Sequence, residues 1–182
     1  QLVKEARGPL PPGPGRPERV DYQYRRNGVA NILMLFEPLP GRRRVKVTQR
    51  HTKIDWAYLM KDLVDTHYPE ADTIVLVMDN LNTHTKASLY EAFQPQEAKR
   101  IADKLEIHYT PKHGSWLNVA ECEFSILARQ CLDRRVGDME ALAGEVAAWQ
   151  QARDNEARPV HWQFGVEDAR VKLSRLYPSY LS

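Results

Sequence analysis

The sequence predicts an α/β domain with a mixed sheet, and three observations predict it. Across residues 52–69 the hydrophobic period changes from two to about 3.6. Residues 73–79, TIVLVMD, form an apolar, β-branched run of strand length that ends on a carboxylate. Leu117, Ala120, Phe124, Leu127 and Cys131 then make an apolar stripe at helical spacing. Strands and helices therefore alternate along one chain of 182 residues, a length that suits a single domain with a substantial core.

Taken in order, residues 8–17, GPLPPGPGRP, are too rich in proline and glycine for helix or central strand and predict an extended loop. VDYQYRRNGVANILMLFEP predicts a hairpin turning at Asn27-Gly28, with 29–36 as its stronger strand. A second strand follows over 44–49, where Val45 and Val47 alternate with polar neighbours. In the helix after it, Trp56, Leu59, Met60 and Leu63 share a face, Thr52 and Asp55 form a capping pair, and Pro69 follows the end. The strand 73–79 comes next. Residues 85–104 predict one or two helices interrupted near Pro95, and 105–110 a short strand. Helices are expected from Ser115, as N-cap, to about Cys131, over 138–153, and over about 167–176. Residues 138–182 thus form a C-terminal helical part of the same domain.

Charge and cysteine content narrow the classes. Formal net charge is +2, so total charge alone implies no nucleic-acid partner. Arg25-Arg26, Arg42-Arg43-Arg44 and Arg134-Arg135 are local basic clusters, each read singly as solvated arginines on loops. Cys122 and Cys131 fall too far apart on one predicted helix to bridge each other, which favours a reduced, intracellular setting. No apolar run approaches the ~20 residues of a membrane span, and no signal peptide is visible.

Two strand-to-helix connections carry the candidate chemistry. Asp79 ends its strand within DNLNTH, at the carboxyl edge where functional groups collect in open α/β sheets. Turn or N-cap chemistry accounts for that aspartate equally well. The second connection, YTPKHGSWLNVAECEF over 109–124, also leaves a strand and enters a helix. One carboxylate from each could hold a hard divalent cation, which takes oxygen ligands and only a few carboxylates. Glu121 and Glu123 flank the apolar stripe on opposite sides, each roughly 80° from its centre, and helix geometry does not choose between them.

DNLNTH and HGSWLNVAE resemble the second and third acidic motifs of the DDE transposases, in the insertion-sequence-630 branch of the Tc/mariner superfamily. The likeness extends through YRRNGVANILMLFEP, VTQRHTKIDWA and WQFGVEDARVKLSRLYP, nearly the whole chain. It implies a ribonuclease-H-like mixed sheet flanked by helices, with residues 1–182 as a partial catalytic domain. It also implies Asp79 and Glu121 as catalytic and metal-holding carboxylates for Mg²⁺ or Mn²⁺, leaving Glu123 a surface or supporting role. Asn80, His84, Lys112, His113 and Asn118 become DNA-binding or supporting residues. A Zn site from His84, His108 and His113 lacks compact spacing, and Trp116 and Trp162 are read as packing residues.

The implied activity is metal-dependent cleavage of transposon ends and transfer into target DNA. The implied partner is that DNA, with no membrane, a homo-oligomeric full-length state and a cytoplasmic, nucleoid-associated location in a bacterial cell. The sequence departs from the family at its start. The family's first catalytic Asp lies on the first core strand, upstream of the stretch matching QLVKEARGPLP, whereas this chain opens at Gln1. Asp21 matches a different family position. The expectation is a sheet lacking its first core strand, a poorly filled lane between strands 29–36 and 73–79, and no activity from this chain alone. The alternatives are a catalytically inactive fragment that only binds DNA, and a ribonuclease-H-like nuclease.

Overall fold

A computed structural model describes residues 1–6, 12–17, 23–79, 81–111, 117–172 and 174. Its elements in chain order are β1 (Val3–Glu5), β2 (Tyr24–Arg26), β3 (Asn31–Glu37), β4 (Arg42–Thr48), α1 (Lys53–Asp62), β5 (Ile74–Met78), α2 (Ala87–Ala92), α3 (Pro95–Lys104), β6 (Leu105–Tyr109), α4 (Val119–Gln130), α5 (Met139–Glu156) and α6 (Val166–Lys172). The α/β class is as expected. Strands pair both ways, antiparallel in β1–β2 and β3–β4 and parallel in β5–β6, with helices packed against them. The arrangement is compatible with a ribonuclease-H-like architecture.

The expected hairpin about Asn27-Gly28 is replaced by another pairing. β2 pairs with β1, Val3 opposite Arg26, and not with β3. Gly28 has φ +100°, and Leu2 N–H donates to its carbonyl at 3.0 Å while Asn27 N–H donates to Leu2 at 2.9 Å. The glycine's left-handed backbone thus serves to turn the chain off the β1–β2 ladder. β3 and β4 form the true hairpin, Asn31 opposite Thr48 and Glu37 opposite Arg42. Gly41 closes it at φ +66°, where a Cβ would lie 2.2 Å from the Arg158 carbonyl oxygen, so no larger residue fits.

Thr52 caps α1 as the sequence predicts. Its side chain accepts from Asp55 N–H, and Asp55 accepts from Thr52 N–H at 2.9 Å. A π-helical turn over Leu63–His67 then ends the helix before Pro69. Residues 85–104 are two helices, with Pro95 at the start of the second, where its missing N–H costs nothing. α4 starts later than expected. Its N-cap is Asn118, whose side chain accepts from Ala120 N–H at 3.2 Å, while Ser115, the cap expected, lies outside the described residues.

Two apolar clusters divide the molecule. The first joins α1, α2, α3, β5 and β6 through Trp56, Met60, Leu89, Ile101 and Leu105. The second joins α4 and α5 through Leu127, Cys131, Leu142, Val146 and Trp149. β3 belongs to both: Leu33 packs in the first cluster and its neighbour Met34 in the second, as the alternation of a strand buried on both faces requires. β3 and β5 do not pair with each other. A cavity of about 760 Å³ is lined by consecutive residues of each, 32–37 and 73–78, as happens where strands present their edges.

The basic clusters are less uniform than their sequence suggested. Arg25 and Arg26 are exposed on β2, but Arg42, Arg43 and Arg44 lie on β4 and not on a loop, and Arg43 is buried to 1% exposure. Cys122 and Cys131 are both free thiols, as expected.

Candidate active site

Asp79 follows the last residue of β5, so the strand fixes its backbone. Its carboxylate Oδ1 lies 2.7 Å from His84 Nδ1. Three contacts hold that histidine. Its ring stacks on buried Trp56 at 6.2 Å, meets His51 edge-on at 5.8 Å, and its backbone carbonyl accepts from the Tyr109 hydroxyl at 2.9 Å. Tyr109 closes β6, the strand beside β5, and Thr110 N–H extends the ladder by donating to Met78 at 2.9 Å. Both strands thus contribute to orienting one carboxylate. His84 engages Oδ1, and the Asp79 side chain keeps 42% of its surface exposed.

Glu121 stands in the first turn of α4, exposed, with its N–H donating to Asn118 at 3.0 Å. A carboxylate suits that place, since unpaired N–H groups make a helix N-terminus electropositive. Asp79, His84, Asn118 and Glu121 all line the one cavity between β3 and β5, with His51, Trp56 and Trp162. The strand-end carboxylate and the helix-start carboxylate therefore share a solvent space, on donors of the hard oxygen type. Among the described residues, no group of three His, Cys, Asp or Glu side chains could hold a metal ion.

The structure separates the two glutamates that helix geometry left equal. Glu123 is 4% exposed and faces Arg43, Arg153 and the interior between β4, α4 and α5. Its surface option is excluded. His108 pairs with Glu106 at 2.7 Å on the exposed part of β6. Trp162 is 49% exposed and edge-on to Phe164, not the packing residue expected. Asn80, Lys112, His113 and Trp116 lie outside the described residues.

Sequence reasoning missed Arg43 and the ring contacts of His84. A signal for Arg43 existed: it is in phase with Val45 and Val47 on β4, and so shares their inward face. Nothing in the period of α1 indicates that Trp56 would meet a histidine from another loop.

Among the described residues no helix is long and apolar enough to cross a membrane. A family model described as DDE superfamily endonuclease matches residues 3–143. No curated protein and no solved structure matches the chain.

Proposed function

The chain belongs to the DDE superfamily endonucleases, and from that premise we propose that it is a catalytic domain of a DNA transposase of the Tc/mariner type, with Asp79 and Glu121 as its catalytic carboxylates. Domains of this superfamily act on DNA and generally use divalent metal ions. The observation that carries the reading is that Asp79 and Glu121, from two separate strand-to-helix connections, line one cavity. Two accessible carboxylates fit Mg²⁺ or Mn²⁺, which when bound supplies electrostatic stabilisation to phosphodiester cleavage and transfer.

The chain's own residues divide the remaining work. His84 fixes the rotamer of Asp79 by engaging Oδ1. Asn118 fixes where α4 begins, and with it Glu121. Lys112 and His113 belong to the connection that enters α4 and are assigned to the DNA backbone, where cations neutralise phosphate.

The test is nicking of transposon-end DNA by the full-length protein in Mg²⁺, with and without Asp79→Ala or Glu121→Gln. Loss of nicking by at least about a hundredfold, with unchanged melting, is expected of each variant. Full nicking by Asp79→Ala would remove the assignment. Transfer into target DNA separates this reading from a nuclease confined to RNA–DNA hybrids. DNA binding without nicking, in full-length wild type, would identify an inactive binding protein.

A further inference from the structure

Between β4, α4 and α5 lies a buried charge cluster that the assigned activity does not use directly. The Arg43 side chain is fully buried, with Nε 3.0 Å from Glu123 Oε2 and Nη1 3.2 Å from Asp154 Oδ1. Asp154 also accepts from the Arg43 backbone N–H at 2.9 Å, and Arg153 reaches Glu123 at 3.4 Å. Phe36 and Trp149 cover the guanidinium at 5.3 and 5.7 Å. One strand and two helices, β4, α4 and α5, are thereby tied through charge.

Stability does not explain this cluster. The Arg43–Glu123 contact is ionic but poorly aligned, and Arg43 Nε, Arg43 Nη2 and Glu123 Oε2 are buried with no hydrogen-bond partner. Buried polar atoms left in that state carry an uncompensated desolvation cost, and well-packed apolar side chains often serve stability as well or better. What such a pair supplies is register. The stripe of Phe124, Leu127 and Cys131 is non-directional and tolerates small rotations of α4. A buried carboxylate between two guanidinium groups does not, because rotation strands both charges. Glu121 lies two residues before Glu123, roughly 200° around the helix. Seating Glu123 inward therefore turns Glu121 outward to the cavity that Asp79 lines.

We propose that Arg43 and Glu123 are positioning residues, fixing the rotational setting of α4 that presents Glu121 to the cavity beside Asp79. The inference rests on the reading of Glu121 given above, but its test does not need that reading to hold. Cys122, between the two glutamates, is exposed and free, whereas Cys131 is buried and burial pushes its thiol pKa up, so a nitroxide reagent reports on Cys122.

The experiment compares the labelled wild-type chain with Arg43→Met/Glu123→Met by electron spin resonance. This double change removes both members of the pair, while Asp154 keeps Arg44 and Arg153 keeps Glu156. The expected result is a folded variant whose single spectral component gives way to two or more. Glu123→Gln, which keeps the volume, is the second variant should the double one fail to fold, and its spectrum moves in the same direction. Arg43→Lys, keeping the charge, lies between it and wild type. In the full-length protein the double variant loses about 10²-fold in kcat with KM for DNA unchanged, the scale set by misplacing a catalytic group. An unaltered spectrum in a folded variant overturns the proposal, whether or not the wild type cleaves DNA. A wild type without cleavage sinks the nuclease reading and leaves the label to decide this one.

Discussion

The two halves of the molecule hold their candidate carboxylates by different means. Around the first cluster no buried residue is charged, and Asp79 is placed by a strand end, with His84 as its side-chain partner among the described residues. Around the second, an apolar cluster is joined to a buried set of charges, and Glu121 is placed by a helix whose opposite side carries Glu123. A strand end needs no further device, because its ladder fixes direction and register together. A helix resting on a smooth stripe has register to lose. The difference teaches that a site assembled from two element types needs two kinds of scaffold.

The sharpest way to break the comparison is to strand one charge. Arg43→Met leaves Glu123 buried with only Arg153, at 3.4 Å, and leaves Asp154 with Arg44. A loss of about 3–5 kcal/mol by urea unfolding is expected, against nearly no loss for the double change with Glu123→Met. Equal losses in the two variants would mean that the second half does not depend on charge pairing. In the first half, Ile101→Val removes one methyl from a fully buried site and is expected to cost about 1 kcal/mol, with no rescue by any partner change. If it exceeded Arg43→Met, the contrast between the halves would fail.

Much of this was legible in the sequence, for reasons that separate local from distant causes. α1 is announced by Thr52 and Asp55, two residues that bond each other, and β5 by a continuous apolar run. Asp79 and Glu121 are legible because each sits at an element boundary that short-range pattern marks. The hairpin at Asn27-Gly28 was misread because the preference of Asn-Gly for tight turns is local, while the partner of β2 is β1, from the far side of the proline-rich loop. Arg43 was misread as solvated because its compensating charges come from α4 and α5, far along the chain.

A smaller effect tests how firmly the first half is closed at its entry. Asp55 is held below the usual carboxylate value of 3.8: burial pushes it up, and the Thr52 side-chain and backbone bonds outweigh that. A carboxyl lowered in the folded state stabilises the fold fully above its unfolded value of 3.8 and loses that contribution as pH falls through the lower folded value. Asp55→Asn is expected to cost about 1 kcal/mol at pH 7, and the gap between variant and wild type should close below pH 3.8. A gap constant with pH would show that geometry, not charge, makes the cap.

The smallest effect on stability concerns the seam where the halves face each other. On β5, Ile74 and Leu76 pack against the first cluster, whereas Val75 and Val77 are 62% and 53% exposed and line the cavity. The opposite side of that cavity is β3, which among the described residues pairs with β4 alone. Two strands therefore present unpaired backbone edges beside exposed β-branched side chains, the combination that templates association between chains. Val77→Lys places a charge on the exposed face without touching either cluster. Unfolding free energy should change by no more than about 0.5 kcal/mol, the range of ordinary surface substitutions. Aggregation followed by light scattering at constant protein concentration should slow several-fold. Leu76→Lys, one residue away but turned into the first cluster, should instead unfold the chain and aggregate faster. If Val77→Lys aggregates as quickly as wild type, association does not begin at this seam, and the exposed Tyr24–Arg26 strand becomes the edge to block next.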